Sequence, residues 1–137
     1  MSTREPLQEQ VQREFDALAP EYDGWKEKNL YYHRSLMAFF RSRVPAGSAV
    51  IEIGCGTGAV LASLSPARGL GVDLSPRMVE IARRKYPHLA FSASAIETLA
   101  GPERFDFAVC ADVLDHVRDL DRFFLSVRPF LAPGHAR

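Results

Sequence analysis

The run Val50-Ile51-Glu52-Ile53-Gly54-Cys55-Gly56-Thr57-Gly58 limits the fold more than any other stretch of this chain. It reads as a buried strand ending in a glycine loop. Glycines at alternate positions let the backbone turn sharply and let a ligand approach the main chain with no Cβ in the way. Ala59 to Leu64 then begins a helix whose N-terminal amides face that ligand, an arrangement suited to nucleotide-like molecules. Two ligand classes use this design. Gly54, Gly56 and Ala59 satisfy the dinucleotide spacing, but an acid, Glu52, precedes the first glycine, and the third glycine falls at 58 rather than 59. A carboxylate at that place repels a pyrophosphate and suits an ammonium group.

Around the loop, strands and helices alternate. Ser48 to Ile53 is the first strand and Gly69 to Asp73 the second; Ser75 is then an N-cap and Pro76 a first-turn proline for a helix to about Tyr86. Leu89 to Ser92 is a weaker third strand, Phe105 to Ala111 a strongly apolar fourth, and a last helix from Leu120 to about Leu131 breaks at Pro133-Gly134. Such alternation predicts an α/β fold, a Rossmann-like parallel sheet of about four strands with flanking helices. Ahead of it, Leu7, Val11, Phe15 and Leu18 mark an amphipathic helix from Pro6 to Leu18. The turn formers of Ala19 to Trp25 are expected to interrupt that helix, and Asn29 to cap a second one through Arg43 that carries Leu30, Leu36, Met37, Phe39 and Phe40. Residues 1–45 are thus expected to be an N-terminal helical segment, which the resemblance described below makes a lid, and 46–137 the ligand-binding core of a single domain.

The chain's 137 residues, 47% of them hydrophobic, suffice for one buried core. Lysine plus arginine equals aspartate plus glutamate at 17 each, so no global field draws the protein to nucleic acid or to an anionic membrane. A small-molecule partner fits better. Cys55 and Cys110 stand at strand ends and are expected to be free thiols in a reducing cytosol. The polar N-terminus lacks the apolar core of a signal peptide, and no apolar run approaches ~18 residues, so a cytoplasmic protein is expected. No His, Cys and carboxylate cluster has metal-ligand spacing, and His88 and His135 read as surface residues.

Asp73 ends the second strand, where a carboxylate can accept two hydrogen bonds from the hydroxyls of a ribose. Its other reading is a purely local contact at the start of the following helix, beside Ser75. After the fourth strand comes Ala111-Asp112-Val113-Leu114-Asp115-His116-Val117, at a strand end that faces the ligand cleft in open α/β sheets. His116 either removes a proton from a hydroxyl acceptor or packs between helix and strand with a ring nitrogen on a backbone carbonyl.

Residues 50–58 match, at every position, the hydrophobic-hydrophobic-acid-x-Gly-x-Gly-x-Gly motif of the class I S-adenosylmethionine (SAM)-dependent methyltransferases, which this chain resembles over about residues 11–134. The resemblance implies that Gly54, Cys55, Gly56 and Gly58 pack on the methionine part of SAM and that Glu52 helps hold its amino group. By the same likeness Asp73, with Leu74 beside it, takes the ribose. Many relatives read Gly-Asp-Ala-Glu-x-Leu after the third strand; here Ser94-Ala95-Ile96-Glu97-Thr98-Leu99 puts Ala95 where an acid commonly bonds the adenine amino group, leaving the Ile96 backbone to pair with the ring. Ala111 and His116 fall in a run similar to the family's Ser-x-Val-Leu-x-His-Val. Phe15 to Asp23 is similar to the Phe-x-x-x-Ala-x-x-Tyr-Asp stretch that closes over the cofactor, which makes Tyr22, Trp25, Tyr31, Tyr32 and His33 an aromatic lid candidate, although helix packing alone explains Phe15, Phe39 and Phe40.

Relatives continue past an equivalent Pro-Gly turn into a fifth strand and a hairpin. Without them the apolar strand from Phe105 to Ala111 is an exposed edge, which invites strand exchange. The expectation is a methyltransferase domain truncated at its C-terminal side, or one completed by a partner chain or a second copy along that edge. The function expected is methyl transfer from SAM to a small-molecule acceptor. Two alternatives stand beside it: a truncated, non-catalytic module that holds SAM or its demethylated product, and a nicotinamide-dependent oxidoreductase, against which Glu52 and the lack of room for a catalytic domain argue.

Overall fold

The computed structural model describes residues 6–99, 101, 103–111 and 119–132; at 22, 25–28 and 120 it describes the backbone alone. Helices α1 (Pro6–Lys28) and α2 (Leu30–Arg41) precede β1 (Ala49–Ile53), α3 (Ala59–Ser63), β2 (Arg68–Asp73), α4 (Pro76–Lys85) and β3 (Ala90–Ala93). A single 3-10 turn, Ile96–Thr98, then leads to β4 (Phe107–Cys110) and α5 (Leu120–Val127), which runs into a second 3-10 turn, Arg128–Phe130. The sheet order is β3-β2-β1-β4 and every pairing is parallel: Ile51 lies opposite Leu70 on one side and Ala108 on the other, and Leu70 opposite Ala90. This is the α/β, Rossmann-like arrangement expected from the alternation of elements.

Successive residues of β1 point to opposite faces and both faces are covered, which is why an unbroken apolar run can be stable there. Val50 joins Leu61, Leu64, Val79, Ala82 and Phe91 under α3 and α4, whereas Ile51 and Ile53 join Phe105, Phe123, Val127 and Phe130 under α5. Phe105 and Phe123 are 1% and 2% exposed, so truncating either to alanine would cost about 3–5 kcal/mol. Ser75 caps α4 as its sequence implies, its hydroxyl accepting the Met78 N–H at 3.2 Å, with Pro76 in the first turn.

Three expectations fail. The helix expected to stop at Leu18 continues through Pro20 to Lys28. An internal proline deletes one backbone hydrogen bond and crowds the preceding turn, but here side chains before and after it, Asp16 and Asp23, are fastened to the core. Asn29 precedes α2 without making a side-chain cap. Strand β4 is shorter than the apolar run: Phe105 turns away to bridge Leu131, its N–H donating to Phe130 O at 2.6 Å and its carbonyl accepting the Ala132 N–H at 2.8 Å. Among the described strands β4 is an outer one, as expected.

Candidate functional site

The site lies at the C-terminal ends of the parallel strands, where β1 passes into its glycine loop. Gly54, Gly56 and Gly58 have φ of 76, 54 and 91°, a backbone region that costs an L side chain strain. The loop is tied to β2 through its main chain, because the amides of Gly54 and Cys55 both donate to Val72 O, at 2.7 and 3.1 Å. Asp73 completes the attachment. Its Oδ2 accepts the Gly56 N–H at 2.8 Å and its Oδ1 the Ser75 N–H at 3.0 Å. The local reading of Asp73 is therefore realised, and the same carboxylate also borders a cavity.

Glu52 is 1% exposed, and its Oε1 accepts the Leu61 N–H of α3 at 3.2 Å. That amide is one of the donors a helix leaves unsatisfied in its first turn, so the carboxylate is oriented beneath the loop by the element that follows it. The Cys55 side chain belongs to the core cluster under α3 and α4, where it crowds Gly71: a Cβ there would come within 2.8 Å of the Cys55 sulfur and 2.7 Å of Phe91. Cys55 thus lines the cavity from a residue whose sulfur is engaged in packing. Gly58, expected to face the ligand, is not part of the cavity wall. It lets α3 approach the sheet, since a Cβ would meet Phe91 at 3.0 Å and Tyr86 at 3.2 Å.

The cavity encloses about 330 Å³, within the range of small-molecule sites, about 300–1,000 Å³. Glu52, Gly54, Cys55 and Gly56 form its floor with Asp73 and Leu74; Ala95, Ile96 and Ala111 line one side. The roof comes from the N-terminal helices: Leu7, Val11 and Phe15 of α1, and Leu30, His33, Leu36 and Met37 of α2. Phe15 is therefore more than helix packing. Of the aromatic lid group, His33 is buried at 7% exposure and lines the cavity, whereas Tyr31 and Tyr32 are 87% and 47% exposed and do not. The side chains of Tyr22 and Trp25, and all of His116, lie outside the described residues.

Among the described residues, Gln8, Asp16 and Asp23 of α1 make side-chain bonds to the core. Gln8 Nε2 donates to Glu97 Oε2 at 3.1 Å; Asp16 accepts from the Ser75 hydroxyl and from Arg77 N–H; Asp23 accepts from Thr57 Oγ1 at 2.8 Å and meets Lys85 Nζ at 3.2 Å. These long-range partners left no local signal in the sequence. His33 did: it stands three and four residues before Leu36 and Met37, on the helix face that turns inward.

Among the charged lining residues acids outnumber bases, with Asp23, Glu52, Asp73, Glu97 and Asp119 against Lys85 and Arg122. Such a site favours a ligand carrying positive charge and disfavours a pyrophosphate. Cys110, at the end of β4, is a free thiol whose pKa is pushed up to about 11, by burial first and then by the Glu52 carboxylate, so it stays protonated at neutral pH and is a poor nucleophile. Among the described residues no group of three or more His, Cys, Asp or Glu side chains is placed to hold a metal ion. No helix among them is long and apolar enough to cross a membrane.

A parallel sheet with a glycine loop after β1 and carboxylates at the ends of β1 and β2 defines a class. The chain belongs to the methyltransferase-domain family, whose family model matches residues 50–134, and its fold is that of the class I SAM-dependent methyltransferases. A ubiquinone biosynthesis O-methyltransferase of Xanthomonas axonopodis pv. citri (strain 306) is 30% identical over 98 residues, which cover 66% of this chain and 41% of that protein. The match therefore spans about two fifths of that relative. The structure of DhpI with S-adenosylhomocysteine superposes with a TM-score of 0.80 at 28% identity, over 96% of this chain and 67% of DhpI. The N-methyltransferase NodS from Bradyrhizobium japonicum WM9, also bound to S-adenosylhomocysteine, gives 0.64 at 28% identity, over 77% of this chain and 57% of NodS.

Proposed function

We propose that this chain is a SAM-dependent methyltransferase domain that passes a methyl group to a small-molecule acceptor. The observation that carries the reading is the pair of carboxylates, Glu52 and Asp73, set on either side of a glycine cradle in an acid-lined cavity. In this reading Gly54 and Gly56 offer backbone to the methionine part of SAM, Glu52 receives its ammonium group, and Asp73 with Leu74 receives the ribose. Ala95 and Ile96 hold the adenine through main chain alone, and Ala111 borders the sulfur side. The same arrangement disfavours a nicotinamide dinucleotide, whose pyrophosphate would meet the acids.

SAM supplies an electrophilic methyl on a sulfonium, so the protein's tasks are alignment and exclusion of water. The apolar roof of Leu7, Val11, Phe15, Leu36 and Met37 serves the second task. Relatives named for O- and for N-methyl transfer share the fold, which fits a core that determines the donor and leaves the acceptor to other parts. Residues 1–45 act as the lid and 46–137 as the core. Two free thiols accord with a cytosolic location.

Isothermal titration with SAM, S-adenosylhomocysteine and NAD tests the reading, paired with an assay of S-adenosylhomocysteine release on a panel of hydroxylated aromatics and amines. Binding of both adenosyl compounds but not NAD, with turnover of a panel member, is the expected result. Binding without turnover of any acceptor favours the non-catalytic module, and NAD binding overturns the assignment.

A further inference from the structure

We propose that His33, on the lid helix α2, is a catalytic residue: its imidazole takes the proton that a hydroxyl acceptor loses on methylation. The inference rests on the methyltransferase reading above. Its ground is position. His33 is 93% buried by its 7% exposure, sits in the first turn of α2 with its N–H donating to Asn29 O at 3.2 Å, and lines the cavity that also contains the glycine loop. The loop side of that cavity carries Glu52 and Asp73 among Ile53, Cys55, Ala59 and Val60, and the side formed by α1 and α2 is apolar apart from this ring, Gln8 and Asp23.

Each carboxylate of the cavity accepts at least one structural hydrogen bond. Asp73 accepts two backbone amides and Glu52 the Leu61 amide; Asp23 holds Thr57 and Lys85; Glu97 accepts from Gln8, and Asp119 from the Arg122 amide. Lys85 and Arg122 are cations with no lone pair to offer at neutral pH. An imidazole ordinarily changes charge near neutrality, and among the described lining side chains His33 is the one of that chemistry. The step balances. An acceptor oxygen forms its bond to the methyl carbon as the carbon–sulfur bond breaks; the sulfur leaves with that electron pair as a neutral thioether, and the hydroxyl proton passes to a nitrogen of His33.

The test uses the difference of one positive charge between SAM and S-adenosylhomocysteine. The full chain, labelled with 13C at histidine Cε1, is titrated by NMR with each compound, and the His33 signal is assigned by its loss in His33→Gln. The expected result is an imidazole that binds its proton several-fold more weakly beside SAM than beside the neutral product, because the sulfonium repels the imidazolium. An identical titration with both compounds overturns the proposal. In a second arm catechol is the probe acceptor: His33→Gln should lower kcat by about 100-fold or more near pH 7, recover as the catechol itself ionises at higher pH, and keep the SAM affinity. Unchanged kcat and pH profile would also overturn it, and if catechol is not turned over the titration alone decides. If neither adenosyl compound binds, the methyltransferase reading itself fails; if both bind and His33 does not respond, only this assignment does.

Discussion

The glycine loop and the helical lid face each other across one cavity, yet they are secured by different kinds of bond. The loop is held by its own main chain and by the next strand: Gly54 and Cys55 donate to Val72 O, and Gly56 to Asp73. Every partner lies within 20 residues. The lid is held by side chains reaching far along the chain, Gln8 to Glu97, Asp16 to Ser75 and Asp23 to Thr57 and Lys85. A floor built from short-range backbone bonds is expected to hold its shape before any ligand arrives. A roof whose polar ties include an ion pair with partners 37% and 42% exposed is expected to open more readily than the sheet.

Substitutions can break or sharpen this contrast. Gly54→Val should have the largest effect, lowering SAM affinity beyond about 100-fold, because a side chain at φ 76° adds about 1–3 kcal/mol of strain to its obstruction of the cradle. Calorimetry on a sample shown to be folded by circular dichroism decides this, and near-normal affinity would mean that the floor is not the binding surface. Asp73→Ala comes next. It removes an acceptor shared by two backbone amides and the proposed ribose, at about 1.5–3 kcal/mol for bonds to a charged group, so a ten- to hundredfold loss is expected by the same measurement.

Ala95→Asp runs in the opposite direction. It restores the acid that relatives commonly place near the adenine amino group, and one added bond of about 0.5–1.5 kcal/mol predicts a few-fold to tenfold gain in SAM affinity. Unchanged or weaker binding would show that the adenine lies elsewhere. Asp23→Ala should be the mildest, about 1 kcal/mol or less for a half-exposed pair, with a modest loss of affinity and faster amide exchange in α1 while β1 and β2 stay protected. Equal loss of protection in strands and lid would erase the distinction between floor and roof.

The same contrast explains what could be read from the sequence. Strand β1, its glycines, Asp73 and the Ser75-Pro76 start of α4 follow rules that operate over a few residues, and they lie where those rules put them. The continuation of α1 through Pro20 could not be read that way, because what opposes the proline's preference is contact with α4 and the loop, more than 30 residues away. Gly58 has a related explanation: its motif position points to a ligand, while a Cβ there would also meet Phe91 and Tyr86, a demand that comes from distant residues. For His33 a periodic signal existed. The lid candidates include it together with Tyr31 and Tyr32, and only the packing of α2 separates the buried ring from the two exposed ones.

Glu52 has one more consequence, concerning selection rather than geometry. A carboxylate 1% exposed and facing an acid-lined cavity burdens the folded chain, whereas a shape-matched apolar residue would relieve it. A population evolving under pressure for thermal endurance alone would be expected to discard this acid, trading activity for robustness. On the proposed reading, a cationic guest gives back in the complex what the empty fold forgoes, which accounts for an acid kept beneath the loop.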